Sequence, residues 1–114
     1  MTTERMDLLK GTLNVLVLKA LAWGPRHGYE VARWIEDVTG GALQLEEGAL
    51  YHCLHRLEKR RWVTSEWGVT DGNRRAKYYT LTAAGRRQLG VETATWTRYV
   101  DAVFGALRAG EKRA

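Results

Sequence analysis

Apolar residues recur at helical spacing in three stretches of the N-terminal half. Leu9, Leu13, Leu16 and Ala20, widened by Val17 and Leu21, predict a first helix over Asp7–Ala22, ended by Trp23-Gly24-Pro25. Val31, Ile35 and Val38, with Ala32 beside them, predict a second helix over His27–Val38, closed by Gly40-Gly41. Leu50, Leu54 and Leu57 predict a third over Glu46–Arg60. Its early acids and late bases suit the helix macrodipole. Its opposite face carries Ala49, His52, His55, Arg56 and Lys59, polar and basic without bulky apolar groups.

The period then switches from helix to strand. Trp62–Trp67 and Ala76–Leu81 alternate and are rich in β-branched and aromatic residues. Asp71-Gly72-Asn73 between them is a turn signal, so a hairpin with a basic tip and return strand is expected. Thr82 is a good N-cap for a last helix reaching about Leu107. At about 1.5 Å per residue that helix is about 37 Å long. Leu89, Trp96, Val100, Val103 and Leu107 form a near-heptad seam with Thr93 at its polar position, interrupted by Gly85, Gly90 and Gly105 elsewhere on the helix. A seam too long for a small core to cover asks for a partner, most economically a second copy. The predicted fold is mainly α with a small β-hairpin (α+β): a winged helix-turn-helix over 1–81 and a dimerisation helix over 82–114.

Charge sharpens this picture. The 114-residue chain carries a formal +5, but Leu54–Arg87 holds nine bases and three acids, a local +6 that leaves −1 elsewhere. A positive field gathered in one region suits a polyanion. The third helix would lie in a DNA major groove and the hairpin would reach phosphates or the adjacent minor groove. Other classes lose support. One cysteine excludes an intrachain disulfide, and the N-terminus lacks a signal-peptide layout, which suits the cytoplasm. Leu13–Trp23 is too short to cross a bilayer and is broken by Asn14 and Lys19, so no membrane partner is expected. His52, Cys53 and His55 have no further residues to complete a metal site or a nucleophile. No enzyme, metal or cofactor is expected.

Three motifs in order also resemble the PadR-type regulators: His27-Gly28-Tyr29-Glu30, Gly48-Ala49-Leu50-Tyr51 running to Leu57-Glu58-Lys59, and Arg74-Arg75-Ala76-Lys77-Tyr78-Tyr79-Thr80-Leu81-Thr82 with Gly85-Arg86. The likeness spans about residues 7–107 and is to the short branch with a single C-terminal helix. It implies a dimeric regulator, usually a repressor on an inverted-repeat operator, commonly released by a ligand. Tyr29 and Tyr51 match positions that contact the DNA backbone, and Arg74, Arg75 and Lys77 match the wing. Arg61 departs from the pattern, which usually has glycine just after the recognition helix, so the end of that helix is open. A left-handed conformation there would cost a non-glycine residue about 1 kcal/mol.

The DNA-binding set expected from these readings is Tyr29, Ala49, Tyr51, His52, His55, Arg56, Lys59, Arg74, Arg75 and Lys77. Trp96 either packs in a dimer interface or, as an aromatic pair does in some family members, sandwiches a planar hydrophobic or phenolic ligand. Trp23, Trp34, Trp62 and Trp67 are expected in the core or at the wing base. The competing reading is a winged-helix module that works through protein contacts without sequence-specific DNA binding.

Overall fold

The computed structural model describes residues 11–110. Leu9 and the start of the predicted first helix lie outside them. The elements are α1 (Thr12–Ala20), β1 (Arg26–His27), α2 (Gly28–Val38), α3 (Glu47–Lys59), β2 (Val63–Val69), β3 (Arg75–Leu81) and α4 (Ala83–Arg108). The mainly α architecture with a small antiparallel sheet is as expected, with one addition. The hairpin is joined by β1, giving the order β1-β3-β2 through the pairs Arg26↔Tyr79 and His27↔Tyr78.

One core unites these elements. Val17, Leu18 and Leu21 of the α1 region, Val31 and Ile35 of α2, and Leu50, Leu54 and Leu57 of α3 are buried together with Val63, Leu81 and Leu89. Each such aliphatic side chain contributes about 1.5–3 kcal/mol on leaving water. The first helix differs from its predicted stripe: Leu18 is fully buried, whereas Leu13 and Leu16 are only half-buried. The reason is that α1 touches α2, α3 and α4, so its covered arc is not a single stripe. Leu89 is a second correction. It is 9% exposed and belongs to the core of its own chain, so it is not free for a partner seam.

The joints follow local rules. His27 caps α2: its Nδ1 accepts from the Glu30 amide at 3.3 Å, and its own amide donates to Glu30 Oε1 at 3.1 Å. Gly40, with φ 60°, closes α2 as its left-handed cap; its amide donates to Asp37 O and the Gly41 amide to Glu36 O. The same motif closes α3, with Arg61 in glycine's place at φ 62°; its amide donates to Glu58 O and the Trp62 amide to Leu57 O. The departure noted in the sequence therefore sits in the conformation that glycine would favour, and α3 ends at Lys59. Asn73, at φ 61°, closes the wing turn in the same left-handed region.

Thr82 locks the last helix to the sheet. Its hydroxyl accepts from the Gly85 amide at 2.9 Å and donates toward Arg61 O and Trp62 O. Gly85 lies so close to Trp62 that a Cβ there would stand 1.9 Å from its carbonyl oxygen. Past Leu89 the helix leaves the core, and every residue from 101 to 110 is exposed. No helix among the described residues is long and apolar enough to cross a membrane.

Candidate nucleic-acid interface

The face of α3 opposite its buried Leu50, Cys53, Leu54 and Leu57 is open. Ala49, Tyr51, His52, His55, Arg56 and Lys59 are all exposed. Arg56 is steered toward α1: its Nη2 donates to Asn14 Oδ1 at 3.3 Å. The same oxygen accepts from Cys53 Sγ at 3.3 Å. The polar residue that interrupts the apolar run of α1 thus links two α3 side chains to α1. Burial pushes the Cys53 thiol up to about 11, with Arg56 pulling it down and Glu92 raising it. A neutral buried thiol is no nucleophile at neutral pH.

Tyr51 reaches from α3 to the start of α2. A Cβ on Gly28 would lie 2.8 Å from the Tyr51 hydroxyl oxygen, so glycine is what lets the ring rest there. Tyr29 stands beside it, exposed, and accepts a hydrogen bond from Arg33 Nη1 at 3.1 Å. That bond, with the charge of Asp37, holds the Arg33 guanidinium above its ordinary pKa. An accepting hydroxyl keeps its own proton to donate, so Tyr29 presents an O–H whose acceptor strength is already used.

Across from these tyrosines stands the wing. A cleft of about 820 Å³ separates the two walls, with Tyr29 and Tyr51 on one side and Arg74, Arg75 and Lys77 on the other. The structure therefore brings together five of the ten residues predicted for DNA. The other five share the α3 face next to it. Among the described residues the one contact between a basic side chain and a carboxylate is His27–Glu30 at 3.5 Å. Arginines and lysines sit instead on aromatic rings, among them Arg33 on Tyr29, Arg60 on Trp62 and Arg75 on Trp67. A ring orients a cation without cancelling its charge, so the surface stays positive.

Sequence reasoning missed several members of this site. Trp67, expected in the core or at the wing base, is exposed and lines the cleft. Away from the cleft, Trp23, also expected in the core or at the wing base, is exposed beside Trp34 at 5.5 Å and under Lys19 at 4.7 Å. A cation stands over one ring face of each. Strand alternation carried the signal for Trp67, since it shares a face with Val63, Ser65 and Val69. Gly28 and Arg33 had no such signal, because their roles depend on contacts with Tyr51 and Tyr29.

On α4, Trp96 and Val100 are half-buried, while Val103 and Leu107 are exposed. Trp96 stacks on Tyr99 with ring centres 5.5 Å apart and planes 25° apart.

A helical pair whose second helix offers a polar basic face, followed by a basic wing and a long projecting helix, defines a winged-helix transcription regulator. The pattern of the transcriptional regulator PadR-like family matches residues 17–91. The chain belongs to that family, and it is a DNA-binding transcription regulator, not an enzyme. It is similar to an uncharacterized protein X of Lysinibacillus sphaericus, 31% identical over 100 residues that cover 87% of this chain and 91% of that one. Among solved structures it is similar to a PadR family transcriptional regulator from Eggerthella lenta, with TM-score 0.74 and 32% identity over 89% of this chain and 86% of that one. A PadR family transcription regulator from Clostridium difficile gives TM-score 0.70 and 28% identity, covering 87% of this chain and all (100%) of that one.

Proposed function

We propose that the chain is a cytoplasmic repressor that binds an inverted-repeat operator as a homodimer. The observation that carries this reading is a continuous basic surface, from the α3 face across the cleft to the wing, whose cations have no carboxylate partner among the described residues. Ala49, His52, His55 and Arg56 face the major groove, the first for closeness and the others to donate hydrogen bonds. Lys59 lies at the end of that row. Tyr29 and Tyr51 donate to backbone phosphates, and Arg74, Arg75 and Lys77 supply charge from the wing. The 82–114 segment is the dimerisation helix. Trp96, Val100, Val103 and Leu107 form its seam, because their own chain leaves them partly or wholly uncovered.

The test is an electrophoretic shift with duplex from upstream of the chain's own gene. The reading expects a retarded band that weakens steeply with salt, by about 0.9 log units in affinity per log unit of salt for each phosphate neutralised. No salt-sensitive binding to that duplex or to random DNA would favour a protein-interaction module instead. Sedimentation at micromolar concentration should give twice the chain mass, and a stable monomer would remove the seam.

Release by a planar hydrophobic or phenolic ligand is the finer part of the reading. Dimerisation would bring the two Trp96 rings near the axis, each already backed by Tyr99. Such ligands should quench tryptophan emission in the wild type and leave Trp96→Phe unchanged. Equal responses in both proteins would leave Trp96 as interface packing.

A further inference from the structure

The apolar run of α1 is interrupted by Asn14, which has no place in the core. The side chain is half-buried, and its Oδ1 accepts from two α3 donors, Cys53 Sγ and Arg56 Nη2, each at 3.3 Å. Arginine can only donate, so the amide oxygen and not its nitrogen must face α3. Cys53 is fully buried and its thiol keeps its proton, which fixes the amide from the core side. On the other side the amide meets an exposed guanidinium. A buried thiol, an amide and a surface cation thus make one chain from the core to the open face of α3.

Arg56 stands apart from the cations of the wing. At 3.6 residues per turn, Tyr51 and Arg56 lie about 140° apart around α3. Tyr51 lines the cleft shared with the wing, whereas Arg56 leans the other way, onto α1. A carboxylate is at hand: Glu92 of α4 acts on the same Cys53 thiol. It accepts instead from Gln88 Nε2 at 2.8 Å, and Arg56 has no ion pair among the described residues. A neutral anchor takes one N–H and leaves the full charge and the rest of the donor fork. A carboxylate in the same place would hold the arginine and cancel it. The arrangement suits a cation kept in one direction for an acceptor outside the chain.

We propose that Asn14 is a positioning residue for Arg56: it aims the guanidinium at a base acceptor on the α1 side of α3, and so sets sequence preference there without touching DNA. Guanine, with two acceptors on its major-groove edge, is the base that the free fork fits. Holding a long side chain before binding spares the ordering that binding would otherwise cost. The proposal rests on the DNA-binding reading above.

Fluorescence anisotropy tests it on the shifted upstream duplex and on a random duplex of equal length. Asn14→Ala should weaken the upstream duplex about two- to tenfold, the range for ordering one long side chain. It should leave the random duplex and the salt slope unchanged, because the charge remains. Arg56→Ala should weaken the upstream duplex at least as much, and adding Asn14→Ala to it should cost nothing further. Asn14→Asp keeps the acceptor but cancels the cation, so it should lose more affinity than Asn14→Ala. Guanines of the upstream site are then replaced one at a time by 7-deazaguanine, which lacks one major-groove acceptor. One replacement should weaken the wild type and leave Arg56→Ala unaffected. Circular dichroism should show each variant folded. Additive penalties in the double variant would overturn the proposal, as would an Asn14→Ala protein that weakens both duplexes equally or an Asn14→Asp protein that binds like the wild type. Those results leave the DNA-binding reading standing, whereas a wild type that binds neither duplex sinks both.

Discussion

The two ends of α4 live under opposite conditions. Near Thr82 the helix is held by its own chain: Gly85 touches the Trp62 carbonyl and Leu89 closes the core. Beyond Val100 every described residue is exposed, Leu107 at 73%. The sequence pattern is continuous across this boundary, so periodicity alone does not reveal where the helix stops serving its own fold. The difference teaches that one seam divides into an intrachain part, ended by Leu89, and a distal part that the described residues leave largely uncovered.

Equivalent substitutions on either side of the boundary should therefore give opposite results. Gly85→Ala drives a Cβ against backbone, and should cost about 3 kcal/mol or more, or prevent folding. Gly90→Ala meets open space on the same helix, and should add about 1 kcal/mol through helix propensity alone. Urea denaturation of both variants checks the contrast. Equal effects would mean that the proximal end is not locked as described.

On the distal side, Val103→Glu should weaken the dimer about a hundredfold by placing a charge in the seam. Sedimentation velocity should then show monomer, while circular dichroism of the helical fold stays intact. Loss of the fold itself would contradict the division at Leu89.

The packed side carries its own pH dependence. The Cys53 thiol goes from 9.0 in the open chain to about 11 when buried. A raised pKa favours the protonated form in the fold, so its stabilisation is full below pH 9 and is lost as pH rises through 11. The loss should reach about 2–3 kcal/mol in urea titrations between those limits. Cys53→Ala should flatten most of it. Tyr79, whose phenol is shifted up by burial and then by Glu58, adds to the loss in the same direction.

The smallest effect concerns the joint between α3 and the sheet. Arg61→Gly should raise stability by up to about 1 kcal/mol, by removing a side chain from a left-handed position. A thermal midpoint that falls instead would show that Arg61 makes a contact outweighing its backbone strain.

Much of this architecture was legible because it depends on local chemistry. The spans of α2 and α3, the turn at Asp71-Gly72-Asn73 and the Thr82 cap are each specified within a few residues, and the structure has them within one or two positions, although Val38 of the expected α2 stripe is 57% exposed because the helix ends there beyond the core. Arg61 could be singled out for the same reason. What escaped depends on distant partners. β1 is two residues long and exists through Tyr78 and Tyr79. Leu89 reads as seam until the core it joins is assembled. Trp23 and Trp67 read as interior or wing-base packing by residue type, but both stand exposed, under Lys19 and Arg75 respectively. The site was legible in its charges and less so in Gly28 and Arg33, which place the tyrosines.

Hydroxyl-radical footprinting of the wild-type protein on its upstream duplex tests the central claim most directly. A homodimer reading an inverted repeat through two α3 helices predicts two symmetric protected half-sites, their centres separated by a whole number of helical turns of about 10 base pairs. A single asymmetric patch, or protection with no register at all, would contradict it.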